Sequence, residues 1–317
     1  MHKFTFLNWC EQDIWVGSHG QAGTPSINGG GWLMPARQRG VAPEPMTFDV
    51  GIGNNARIWP RTECKFPGDG QDHCATGGCV DATGKFALKC ASAGQPPAAL
   101  VEWHLDAPSG LDLKIPIDYY DGSLVDGFNI PTKMTAVAGT FNPKADPGMD
   151  EDRWCAPAGC AVNPVCPAEY ADGPNCWSPC KAATRVDQPV DAAEALNLCC
   201  VCTLADAACS CASSQASGGP KEGCCDGGFG CTPYHDPMYP PDLVCDPTGG
   251  KNGGRAWSAT AQSYIANVHA ACPSIYAWQF DDTEGQFNCR KDPNPTTGAP
   301  GLVDYVIEFC PGVPAAE

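Results

Sequence analysis

Short apolar runs separated by Gly, Pro and Asn dominate the chain from Phe4 to Thr62: Phe4-Thr5-Phe6-Leu7, Asp13-Ile14-Trp15-Val16, Trp32-Leu33-Met34 and Arg57-Ile58-Trp59. Runs this short, closed by turn residues, predict strands. The pattern returns at 99–105, 113–120 and 302–309, where apolar and polar residues alternate in several places. Alternation sends one set of side chains to a core and the other outward. The two ends of the chain therefore read as strands of one sheet system, and Cys10 and Cys310 would be joined across it. One segment has helical spacing instead. Over 258–271 the apolar residues Ala261, Tyr264, Ile265 and Val268 fall on one face, Ser258 is an N-cap candidate, and Cys272-Pro273 ends the run. The predicted fold class is an all-β sandwich with one main helix.

Composition sharpens this picture. With 36 Gly and 31 Pro in 317 residues the chain has too many turns for a helical bundle, while 43% hydrophobic residues suffice for a packed core. No apolar stretch is long enough to span a bilayer. The 22 cysteines suit an oxidising compartment, so the protein is expected to be secreted. Its first residues hold no apolar segment of signal-peptide length, and such a leader is expected to have been removed. Nineteen Lys and Arg stand against 36 Asp and Glu, a net charge of −17. That disfavours nucleic acid and anionic lipid as partners and points to a neutral or cationic ligand.

The cysteines also divide the chain. Segments 64–90 and 155–272 are too poor in apolar residues to fold without staples. They are read as a small and a large disulfide-rich lobe on a core formed by 1–63, 91–154 and 273–317. Within the large lobe, 181–223 and 237–254 have the composition of insertions. Cys199-Cys200-Val201-Cys202 and Cys209-Ser210-Cys211 match thiolate metal sites in spacing alone, and in an oxidised chain disulfides are favoured, so no metal is expected. The histidines, among them His73, His104, His235 and His269, lack paired spacing and are read as surface or loop residues. Trp9, Trp15, Trp32 and Trp59 fall in strand runs and are read as packing residues. No nucleophile elbow, P-loop or dinucleotide fingerprint is present, and no cofactor is expected.

Four blocks are more specific: Arg57-Ile58-Trp59-Pro60-Arg61-Thr62-Glu63-Cys64, Cys74-Ala75-Thr76-Gly77-Gly78-Cys79, Gln95-Pro96-Pro97-Ala98-Ala99-Leu100-Val101-Glu102, and Tyr120-Asp121-Gly122-Ser123-Leu124-Val125-Asp126-Gly127-Phe128-Asn129-Ile130-Pro131. In this order and at this distance they resemble the thaumatin-like family, the pathogenesis-related group that includes osmotin and zeamatin. The chain departs from that pattern at Asp72 and Gly78 and in a longer 79–90 loop. The resemblance implies the pairs Cys10–Cys310, Cys64–Cys74, Cys79–Cys90, Cys155–Cys289, Cys160–Cys272, Cys166–Cys176, Cys180–Cys224 and Cys225–Cys231. Cys199, Cys200, Cys202, Cys209, Cys211 and Cys245 are left over, with their pairing open.

The resemblance further implies an acidic cleft between sandwich and large lobe, formed here by Arg57, Glu102, Asp121, Asp126 and Asp282. Asp281 is an alternative to Asp282, and Asp118 is a further acid on the same run. Opposed carboxylates are what glycoside hydrolysis requires, one protonated to donate to the leaving oxygen and one anionic to attack or activate water. Crowding like charges raises one pKa, and a nearby arginine lowers another. Asp121 and Asp126 are an odd number of residues apart and would face opposite ways on one straight strand. A turn or bulge at Gly122-Ser123 is therefore required. The roles implied are Glu102 as general acid and Asp126 as base or nucleophile. Asp121 and Asp282 would bind sugar hydroxyls, and Arg57 would hold the carboxylates. Tyr119, Tyr120 and Phe128 would offer apolar faces to pyranose rings, or else fill the core.

Three functions stay open: a monomeric endo-β-1,3-glucanase with an antifungal or cell-wall role, a non-catalytic β-1,3-glucan-binding module on the same scaffold, and an inhibitor of foreign hydrolases acting through its loops. A salt-bridge network that merely ties strands together is the bland alternative for the five cleft residues.

Overall fold

The computed structural model describes residues 1–21, 23–66, 73–108, 116–185, 198–199, 247 and 256–312. The alternating runs form strands β1 (His2–Asn8), β2 (Ile14–Gly20), β3 (Gly31–Met34), β5 (Asn55–Arg61), β6 (Leu100–Ala107), β7 (Ile117–Ser123) and β13 (Tyr305–Phe309). Further strands are β4 (Met46–Val50), β8 (Thr132–Ala136), β9 (Ala158–Gly159), β10 (Ala171–Asp172), β11 (Asn175–Cys176) and β12 (Gln286–Cys289). The helices are α1 (Pro179–Ala183), α2 (Ala259–Ala271) and α3 (Asp282–Gly285). One sheet has the order β4-β1-β13-β8-β9, a second β12-β7-β6-β5-β2-β3, and β10 pairs with β11. The fold is thus mainly strands in sheets with few helices, as the alternation predicts.

The chain ends meet as expected. β1 and β13 lie side by side in parallel, Phe4 opposite Tyr305 and Asn8 opposite Phe309, and Cys10–Cys310 closes the pair just beyond. Strand alternation delivers Phe4, Phe6, Ile58, Val101, Trp103 and Ile307 to one core between the two large sheets. Phe4 on one sheet meets Trp103 on the other edge-on, ring centres 4.9 Å apart. Each such buried side chain stabilises the fold by roughly 1.5–3 kcal/mol.

A second core surrounds α2. Ser258 Oγ accepts from the Ala261 N–H at 3.2 Å, giving the helix its N-cap, and Ala261, Tyr264 and Val268 are its buried face. The Tyr264 hydroxyl donates to Leu124 O at 2.7 Å and so fixes the helix to the chain leaving β7. Cys272 ends the helix and is bonded to Cys160.

The structure also joins Cys64–Cys74, Cys79–Cys90, Cys155–Cys289 and Cys166–Cys176. One pairing is corrected: Cys180 is bonded to Cys199, not to Cys224. Cys180 lies on α1, and the buried Leu198 brings its neighbour Cys199 against that helix. Cys224, Cys225 and Cys231 lie outside the described residues, as do Cys200, Cys202, Cys209, Cys211, Cys245 and nearly all of both inserted segments. His2 is also corrected, being a core residue and not a surface one. It is 1% exposed, donates through Nδ1 to Val303 O at 2.7 Å, and meets Asp106 Oδ2 at 2.7 Å through Nε2. Among the described residues no helix is long and apolar enough to cross a membrane.

Candidate functional site

Strand register builds the site. Arg57 on β5 stands opposite Glu102 on β6, Glu102 opposite Asp121 on β7, and Asp121 opposite Gln286 on β12. Residues directly opposite one another in a sheet point to the same face. The four therefore form one transverse row on the face turned away from the sandwich core, whereas their neighbours Ile58, Val101, Trp103 and Tyr120 point inward. Arg57 Nε is 3.4 Å from Glu102 Oε1. Gln21 lies against the same pair: with its amide assigned so that the oxygen faces the guanidinium, that oxygen accepts from Arg57 Nη2 at 2.9 Å and from Nε at 3.0 Å.

Beside this row is a cleft of about 280 Å³ whose lining includes Arg57, Glu102, Asp121, Asp126, Tyr276 and Asp282. The structure thus brings together the arginine and the four carboxylates named from sequence. Asp126 enters it by a turn that lies later than expected. β7 runs straight through Gly122 to Ser123, and the chain reverses over Leu124 to Gly127, where the Gly127 N–H donates to Leu124 O at 2.9 Å. Gly122 serves another purpose. A Cβ there would sit 2.8 Å from Gly159 Cα, so its lack of a side chain lets β9 approach.

Asp282 opens α3 and accepts from the Tyr276 hydroxyl at 2.6 Å. The adjacent Asp281 is turned away and 6% exposed, engaged by His269 Nε2 at 2.6 Å and the Ala277 N–H at 2.9 Å. Asp118 belongs to the opposite face of β7, beside His2 and the Tyr305 hydroxyl. Lys181, Gln21, Tyr276 and Gln279 are additions that sequence reasoning did not supply. Lys181 on α1 reaches Asp126 Oδ1 at 3.1 Å.

Two expected sugar-facing aromatics are corrected. Tyr120 is 1% exposed and its hydroxyl donates to Ala156 O at 2.6 Å. One residue from Asp121 on a straight strand, its side chain must point into the core. Phe128 is 2% exposed and stacks on Tyr264 beneath the turn. Tyr119, by contrast, shares the outer face with Asp121.

The electrostatics separate these acids. Burial pushes the Glu102 carboxyl above the ordinary glutamate range; Arg57 opposes the rise, and the charge of Asp126 adds to it. Burial, followed by the charge of Glu102, pushes Asp121 well above the aspartate range against the pull of Arg57, with Asp282 adding to the rise. Asp121 Oδ1 is shielded from solvent and accepts no hydrogen bond among the described residues. A carboxyl so placed favours its neutral form. The cleft thus holds two carboxyls, Glu102 and Asp121, that keep their protons to higher pH than free side chains do, beside the acidic side chains of Asp126 and Asp282.

Comparison with known proteins gives a coherent result. The model of the Thaumatin family matches residues 8–237. Pathogenesis-related thaumatin-like protein 3.5 of Cryptomeria japonica is 26% identical over 311 residues, covering 97% of this chain and 89% of that protein. Thaumatin-like protein 1 of Pyrus pyrifolia is 28% identical over 313 residues, covering 98% and 91%. A protein of Prunus avium named glucan endo-1,3-beta-glucosidase is 27% identical over 314 residues, covering 97% and 89%.

Proposed function

Because the chain belongs to the thaumatin family, we propose that its acidic cleft binds β-1,3-glucan and hydrolyses it. The observation that carries this reading is the row in which Glu102 and Asp121 share a single arginine, with Asp126 and Asp282 on the same cleft. Glu102, 26% exposed and raised in pKa, is the proton donor to the leaving glycosidic oxygen. Asp126, reached by the turn after β7, attacks the sugar or activates water from the other side of the bond. Asp121 and Asp282 hold hydroxyl groups, and Arg57 keeps Glu102 in place. A neutral polysaccharide suits a chain of net charge −17 better than any anionic one. The relative named as a glucan endo-1,3-beta-glucosidase supports the substrate class. The disulfide-rich chain acts outside the cell, as a monomer, in a cell-wall or antifungal role.

A second reading, binding without turnover, is favoured by one contact. Lys181 sits 3.1 Å from Asp126 and engages an oxygen that attack would need. Equilibrium titration with soluble laminarin tests the shared claim of both readings. Wild-type protein is expected to bind, and Asp121→Asn and Asp282→Asn to weaken binding by roughly threefold to tenfold each. Unchanged affinity in both variants would contradict the placement of glucan in this cleft.

A further inference from the structure

The Glu102 and Asp121 row is a boundary between two hollows. A second one, of about 230 Å³, shares both carboxylates and is lined beyond them by Gln21, Asn55, His104, Tyr119 and Gln286. Register explains its position. Asn55 stands opposite His104 and His104 opposite Tyr119, which makes a second row on the same outer face, two residues further along each strand. Rows related in this way are about 7 Å apart. The first hollow extends in the other direction, past Leu100 and Ser123. The two hollows therefore lie end to end along the strands, with the carboxylates between them.

Their chemistry differs. The first holds Asp126 and Asp282. The second adds no carboxylate to the shared pair, only amides, a phenol and an imidazole. His104 and Gln286 are exposed and Asn55 and Tyr119 half-buried, so this hollow is lined by side chains with accessible polar surface. Tyr119 packs partly against the core, which fixes its ring. Fixed aromatic surface ringed by amides and other hydrogen-bonding groups matches the face and hydroxyls of a pyranose; it lacks the fixed cations that a phosphate would need.

We propose that a polysaccharide runs along the strands and crosses Glu102 and Asp121, with the second hollow holding the sugar on the far side of the bond from Asp126. This rests on the glucan reading above and adds Tyr119, His104 and Gln286 as residues that set the length of chain recognised.

Calorimetric titration of laminaribiose and laminarihexaose into wild type, Tyr119→Ala and the double variant His104→Ala/Gln286→Ala tests it. His104 and Gln286 are exposed, so the double variant keeps its fold even where Tyr119→Ala does not. Wild type is expected to bind the hexaose at least about tenfold more tightly than the biose, and the variants to lose that gain while binding the biose as wild type does. A gain with length that survives in the double variant would overturn the second hollow alone. Absence of binding by wild type to either sugar would overturn the glucan reading, and this inference with it.

Discussion

Lys181 Nζ stands 3.1 Å from Asp126 Oδ1, joining helix α1 to the turn that follows β7. The pair is partly exposed, the side chains being 34% and 17% accessible. Its direct contribution to stability is therefore small, about 0–1 kcal/mol. In the proposed hydrolysis it matters more, because it sets where one Asp126 oxygen points. Lys181→Met is expected to leave the thermal midpoint nearly unchanged and to lower sugar release from laminarin severalfold. A rise in release would favour binding without turnover as the wild-type state.

Arg57 is the cation that opposes the upward shifts of both Glu102 and Asp121. Arg57→Gln removes that opposition, so both carboxyls keep their protons to higher pH. The alkaline limb of the laminarin pH profile, where the acid loses its proton, is expected to move upward. A downward or absent shift would contradict the role given to Glu102.

A pH effect independent of the cleft comes from the buried group at the sandwich core. Burial pushes the Asp118 carboxyl up to about 6 from its ordinary 3.8, with His2 opposing. The folded protein thus binds more protons than the unfolded chain between about pH 4 and pH 6, and stability falls as pH rises through that window, by on the order of 3 kcal/mol in total. Burial alone would lower the His2 imidazolium. The Asp106 hydrogen bond and the Asp118 charge outweigh burial and raise it, so its contribution is complete below its ordinary 6.5 and is lost as pH climbs through the raised value. Asp118→Asn should flatten the dependence of unfolding free energy on pH between 4 and 6, as measured by urea denaturation. An unchanged slope would refute the assignment.

Peptide mapping without reduction should recover Cys180 linked to Cys199. Recovery of Cys180 linked to Cys224 would return the chain to the pairing that family resemblance implies.

How much of this was legible in the sequence follows from the physics of each feature. Alternation in Phe4-Thr5-Phe6-Leu7 and at 302–309 announces β1 and β13, and the spacing of Ala261, Tyr264 and Val268 announces α2. β4 and β12 are short and only partly buried, so their sequences Met-Thr-Phe-Asp-Val and Gln-Phe-Asn-Cys hold too little pattern to stand out. The residue types of the cleft were readable through family likeness, but the register that lines up Arg57, Glu102 and Asp121 is a tertiary property. The same limit explains Tyr120. Its neighbour Asp121 marks a cleft strand, while alternation alone decides that the tyrosine faces inward. Lys181 lies at the edge of a segment with the composition of an insertion, and nothing local points it at Asp126. His2 has no partner near it in sequence; Asp106 and Asp118 reach it only through the packing of the two sheets.

The central claim is that Glu102 donates a proton to a glycosidic oxygen while Asp126 acts from the opposite side, and reducing-sugar release from laminarin tests it most directly. Wild-type protein is expected to release sugar, and Glu102→Gln and Asp126→Asn each to lower the rate at least a hundredfold, the scale of a lost acid or base, while both variants still bind laminarin. Release at the wild-type rate by either variant would contradict the account.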